Sequence, residues 1–143
     1  YSYLDKNGKV LPMIPIENET GKIITYYDNG KVSREMEYKN GSLVNSYKEY
    51  YYTGQLFEDI NYVSGEFHGK PVKYFTDGLH EKERYYEMGD LNGIAKTYFQ
   101  NGKLKKEETY LHDIKEGATR TYNEDGKLLT EETYFNGDII TSK

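Results

Sequence analysis

The sequence predicts an all-β fold: an elongated, curved and open-sided single-layer antiparallel meander of tandem 24-residue β-hairpin repeats. Three observations carry this reading. Five turn glycines (Gly30, Gly54, Gly78, Gly102 and Gly126) stand at a constant 24-residue step with no insertion or deletion. Two tyrosine columns keep the same register: Tyr26, Tyr50, Tyr74, Tyr98 and Tyr122 before the glycines, and Tyr38, Tyr62, Tyr86, Tyr110 and Tyr134 after them. The runs between are rich in β-branched and aromatic residues, which suit a pleated, half-buried surface and disfavour helix. With tyrosine at 17 of 143 positions, two such columns in one register do not arise by accident.

Along the chain, residues 1–20 fit the unit poorly. Asn7-Gly8-Lys9-Val10 echoes the turn, but Gly8 lies 22 residues before Gly30, and Pro12 and Pro15 interrupt strand pairing. This segment reads as a degenerate N-terminal cap with a Pro-containing loop, and residues 21–143 as one domain of five hairpins. Within a unit, Ile23 to Tyr27 reads as one strand and Val32 to Tyr38 as the next, around an Asn-Gly turn of the kind that marks hairpins. Two weaker glycine columns complete the repeat. One is Gly41, Gly65, Gly89 and Gly137, with Asp113 in the fourth place; the other is Gly21, Gly69, Gly93 and Gly117, with Asn45 in the second. Asp and Asn are natural substitutes there, because they tolerate left-handed backbone better than other side chains.

A three-residue loop with a glycine bulge sets Tyr26 opposite Val32. The apolar column (Val32, Leu56, Leu104 and Leu128, with His80 in the third place) and both tyrosine columns then share one packed side, the repeat core. On that register Tyr74→Ala or Tyr98→Ala costs ~3–5 kcal/mol, as truncation of a buried aromatic does. The acids Glu35, Asp59, Glu83, Glu107 and Glu131 fall on the other side. So does an aromatic row, Tyr27, Tyr51, Phe75 and Phe99, which ends at Asn123.

Composition narrows the function. Only 36% of residues are hydrophobic and mean hydropathy is −0.93, so aromatic rings must supply what aliphatic packing cannot. A formal net charge of −5 argues against nucleic acid and anionic lipid as partners. The absence of cysteine excludes disulfides, thiolate metal sites and cysteine nucleophiles. No apolar run approaches the ~18–20 residues of a membrane span.

No catalytic, cofactor or metal residues emerge. His68, His80 and His112 occupy different places in the repeat and show no metal-ligand spacing, so they read as solvated or ladder-filling side chains. Glu107-Glu108 and Glu131-Glu132 are strand neighbours that point to opposite faces, and they recur, unlike an active site. Two binding features remain. The acid column is either matched by nearby lysines or forms a stripe that selects a basic partner. The aromatic row is either covered by curvature or dimerisation, or supplies interface anchors. The candidate partner-binding residues are therefore Tyr27, Tyr51, Phe75, Phe99, Glu35, Asp59, Glu83 and Glu107.

Residues 93–110 (GIAKTYFQNGKLKKEETY) and 117–137 (GATRTYNEDGKLLTEETYFNG) carry a specific likeness. They resemble the variant MORN repeat, the type found in bacterial YwqK-family antitoxin-like proteins, and the resemblance extends over residues 21–141. Asn45, Asp113 and His80 depart from the pattern. The resemblance implies a hairpin array used as a protein-contact surface, with antitoxin-like members, in a wider class linked to membranes and scaffolds. The expectation is a non-enzymatic protein-binding module; the alternative is a structural cell-envelope or membrane-associated scaffold. A chain beginning at Tyr1 leaves bacterial cytoplasm and envelope both open. An uncapped sheet edge would also permit homo-oligomers.

Overall fold

Every regular element of the computed structural model, which describes residues 3–4, 10–11, 20–63 and 65–142, is a β-strand. The repeats form the successive hairpins β3 (Gly21–Tyr26) with β4 (Val32–Lys39), β5 (Ser42–Tyr50) with β6 (Leu56–Val63), and β8 (Val72–Tyr74) with β9 (His80–Glu83). Further along come β12 (Gly93–Tyr98) with β13 (Leu104–Leu111), and β14 (Ile114–Tyr122) with β15 (Leu128–Phe135), followed by β16 (Asp138–Ser142). These strands join in chain order into one antiparallel sheet, with β7 (Glu66–Phe67) attached to β6. The order runs from β3 at one edge to β16 at the other, so the sheet is open and not a barrel. Two small two-stranded sheets stand outside it: β1 (Tyr3–Leu4) with β2 (Val10–Leu11), and β10 (Tyr86–Glu87) with β11 (Asp90–Leu91). The expected Pro-containing loop lies outside the described residues.

The predicted turn is present in all five units. In the first, Tyr27 N–H donates to Lys31 O (2.8 Å) and Gly30 N–H to Tyr27 O (3.0 Å), with Gly30 at φ +80°. That is a three-residue loop closed by a left-handed glycine, and it pairs Tyr26 with Val32 as expected. The two-residue turns at Asn40-Gly41, His112-Asp113 and Asn136-Gly137 have both residues at positive φ, Asn40 at 51° and Gly41 at 76° for example. Asn45 (60°) and Asp113 (65°) occupy the left-handed conformation that their glycine counterparts adopt.

The face assignment needs correction. Thr25 pairs with Arg34, whereas Tyr26 pairs with Val32, so Ser33 is an extra residue in β4. The same shift recurs at Tyr50, Tyr74, Tyr98 and Tyr122. A bulge consumes a residue without crossing the sheet. Ser33 and Arg34 therefore lie on one side: Ser33 Oγ is 2.7 Å from Thr25 Oγ1, and the Arg34 guanidinium donates to Glu49. Alternation restarts with inverted parity. The column headed by Tyr26 joins the acids, with the Tyr50 hydroxyl donating to Glu35 (2.9 Å). The column headed by Tyr38 lies on the opposite face, where the Tyr134 hydroxyl donates to Glu132 (2.9 Å). The row headed by Tyr27 shares that second face, and not the acid one.

Splitting the columns leaves no single tyrosine core. Ile23, Ile60 and Pro71 are buried, while the repeat tyrosines are half-buried and Tyr26, on the first strand of the array, is 56% exposed. A one-layer sheet has no second layer to cover either face, and ring-to-neighbour packing within each face takes the place of a core.

Candidate functional site

On the acid face, cross-strand pairing sets the carboxylates into a row of alternating charge. Reading across the sheet, Glu35, Lys48, Asp59, Val72, Glu83, Lys96, Glu107, Arg120 and Glu131 lie in register. Opposite charges directly across an antiparallel pair stabilise it, and like charges would not. Lys22 holds Glu35 at 2.6 Å, Lys48 approaches Asp59 at 3.7 Å, and Arg120 bridges Glu107 (3.4 Å) and Glu131 (2.6 Å). Such exposed pairs add little to stability individually, because solvent screens them. Their larger effect is to set a cation beside each acid of this row among the described residues.

Glu83 is the exception in degree. It is buried, and Val72 stands where the row elsewhere carries a cation. Lys70 ion-pairs with it instead, and His80 Nδ1 lies 2.6 Å from its Oε1. Burial works against the charged form. The bonds from Lys70, His80 and Tyr98 outweigh it and hold the carboxyl well down, at about 2. The same environment raises the phenols: burial first, then Glu35 for Tyr50 and Glu83 for Tyr98, push both up to about 12. His80 fills the apolar column's third place by standing edge-on between Tyr74 (5.2 Å) and Tyr98 (6.3 Å).

On the aromatic face, the row of candidate anchors serves as an inter-repeat clasp. The Tyr27 hydroxyl donates to Tyr50 O (2.5 Å) and the Tyr51 hydroxyl to Tyr74 O (2.9 Å), each reaching into the next hairpin. Tyr27 meets Tyr52 edge-on, and Tyr51 meets Phe57. Phe75 and Phe99 are likewise half-buried, and Phe99 lies under Lys105. Asn123, at the end of the row, caps its own turn by accepting from Lys127 N–H (2.8 Å). Because the rings and the row of acids lie on opposite faces, the two groups of candidate partner-binding residues do not form one surface.

The histidines stay apart. His112 Nδ1 is 3.1 Å from Asp90 in a turn, and His68 donates its backbone N–H to Asn61. The two carboxylate pairs also diverge: Glu107 turns to Arg120, while Glu108 binds Lys106 and Lys115 on the other face.

Periodicity breaks at the third repeat. Pro71 occupies the place that Ile23, Tyr47, Ala95 and Thr119 hold in the other units. Proline has no N–H to give the ladder and is poorly tolerated inside a sheet. Strand β8 accordingly has 3 residues, against 6 to 9 in its counterparts. Only Glu58↔Lys73 and Asp59↔Val72 join it to β6, and the end of this repeat peels into the separate β10–β11 hairpin. The gap on the aromatic face is a cleft of about 310 Å³ lined by Phe57, Glu58, Ile60, Phe67, Pro71, Lys73, Lys82, Arg84 and Tyr86. Phe67 bridges the opening, 4.9 Å from Tyr62 and 5.5 Å from Tyr86. Arg84 stands in the column that Met36 and Ile60 occupy in the preceding units.

Pro71 was visible in the sequence as a departure from its column, whereas Arg84 was not, since its column runs Met36, Ile60, Arg84, Glu108 and Glu132. Their meaning depended on which face those columns occupy, so the cleft was missed.

No curated protein matches the chain. The family described as MORN repeat variant matches residues 19–40, 43–64, 91–112 and 115–136. These segments cover more than half of the chain and keep the 24-residue step, skipping the unit that holds the cleft. The matched segments and the open sheet of hairpins together place this chain in the MORN repeat variant family.

Proposed function

We propose that the chain is a non-enzymatic protein-binding module in which the regular hairpins act as a frame and the third-repeat cleft is the docking point. The observation that carries this reading is the coincidence of three departures in one unit: a shortened sheet, a concave aromatic-floored opening, and a lapse of the repeat pattern. Structural features recur in an array, whereas a recognition site is singular. Antitoxin- or immunity-type action, by steric engagement of another protein, is the form this reading favours. Carboxylates matched by cations on one face, and adjacent pairs divided between faces, support a non-catalytic role.

The test is a pull-down from native lysate of the source cells, comparing the wild type with Phe67→Ser/Arg84→Glu. A stoichiometric protein retained by the wild type and lost by the variant is expected. Equal retention by both would remove the cleft from the interface, and capture of nothing by the wild type would count against the module itself.

A further inference from the structure

The cleft has a charge character of its own. The molecule carries −5, yet the lining holds three cations, Lys73, Lys82 and Arg84, against one acid, Glu58. Lys73 is already engaged: Glu81 lies 3.2 Å away, and its ammonium sits 4.8 Å from the Phe57 ring centroid. Lys82 and Arg84 differ. Neither makes a side-chain hydrogen bond or ion pair among the described residues. On the opposite face, by contrast, Lys22, Lys48, Lys96 and Arg120 all have carboxylate partners. A guanidinium at the rim of an apolar opening presents a planar fork of donors that matches a carboxylate. Beneath it the floor is aromatic and aliphatic.

Resting on the binding-module reading, we propose that the cleft takes an acidic peptide segment in which an apolar side chain is flanked by carboxylates. The side chain enters between Phe57, Ile60 and Phe67, and the flanking carboxylates pair with Arg84 and Lys82. The volume sits at the lower end of the ~300–1,000 Å³ range of ligand pockets, which suits one or two side chains. An anionic bilayer fits less well: it would meet a molecule of net negative charge through a single concavity, whereas membrane adhesion draws on a broad basic surface.

The test uses the full chain and fluorescence anisotropy with labelled peptides Glu-Glu-Phe-Glu-Glu, Glu-Glu-Ala-Glu-Glu and Lys-Lys-Phe-Lys-Lys. Only the first is expected to bind well, with affinity falling as salt rises. Arg84→Glu and the milder Arg84→Gln should each weaken it, the reversal by about tenfold or more. Lys103→Glu on a distant turn should leave it unchanged. The proposal is overturned by equal binding of the basic peptide, by binding that survives Arg84→Glu in a folded variant, or by no binding of the acidic peptide. It is also overturned if vesicles containing phosphatidylglycerol, and not the peptide, bind in an Arg84-dependent way. Should the peptides fail while a captured protein is still lost on Phe67→Ser/Arg84→Glu, the docking point stands and the acidic-segment chemistry falls.

Discussion

At the scale of single residues, Glu83 and Tyr98 concentrate the energetics of the acid face. A carboxyl held at about 2 in the folded chain, against its ordinary value of 4.5, contributes stability that is complete above the unfolded value. That contribution fades as pH falls through the range from 4.5 towards 2. Melting curves of wild type and Glu83→Gln should therefore differ by a few kcal/mol at pH 7 and converge near pH 2. A constant gap across that range would mean the carboxylate's partners are not formed in solution. Tyr98 lies half-buried beside His80 and donates to Glu83. Its partial burial lowers the expected cost of Tyr98→Ala to about 2–3 kcal/mol, below the value for a fully enclosed ring. Chemical denaturation measures it, and a loss under about 0.5 kcal/mol would remove the tyrosines from the stabilising set.

At the scale of elements, the hairpin connections do most of the specifying. The turn at Met88 and Gly89 has both residues at positive φ, 51° and 91°, and closes the β10–β11 hairpin beside the cleft. Methionine is poorly suited to that conformation, whereas Asn, which stands at the corresponding turn positions 40 and 136, visits it readily. Met88→Asn should thus raise stability by roughly 0.5–1 kcal/mol, read as a higher urea midpoint at unchanged slope. An unmoved midpoint would indicate that this hairpin is not formed in solution. The ion-pair row adds a second kind of specification, since each strand of the regular repeats meets opposite charge on its neighbour.

At the scale of the whole molecule, contacts are between neighbouring strands, so the array behaves as a one-dimensional stack. Deleting residues 93–116 would bring Arg120 to the place of Lys96, opposite Glu83, and keep the charge alternation. The shortened chain should fold, with β-rich circular dichroism and a lower melting temperature. Aggregation or loss of β structure would show that stability is shared across distant repeats. The frame tolerates such editing because it is regular, and the cleft exists because one unit is not.

The period, the hairpin order, the three-residue turn and the pairing of Tyr26 with Val32 were legible in the residues alone. Each depends on a few backbone dihedrals written into neighbouring residues, as the left-handed Asn45 and Asp113 show. Which residues share a face emerges only from the paired strands. The extra residue of the bulge is Ser33, Phe57, Glu81, Lys105 and Leu129 in successive units, with no chemical signature in common. Side-chain parity depends on every residue between two points, so one unmarked insertion inverts it without changing the strand pairing. The cleft followed the same rule: Pro71 was legible as an exception and Arg84 was not, and only the paired strands brought them together with Phe67 around an opening.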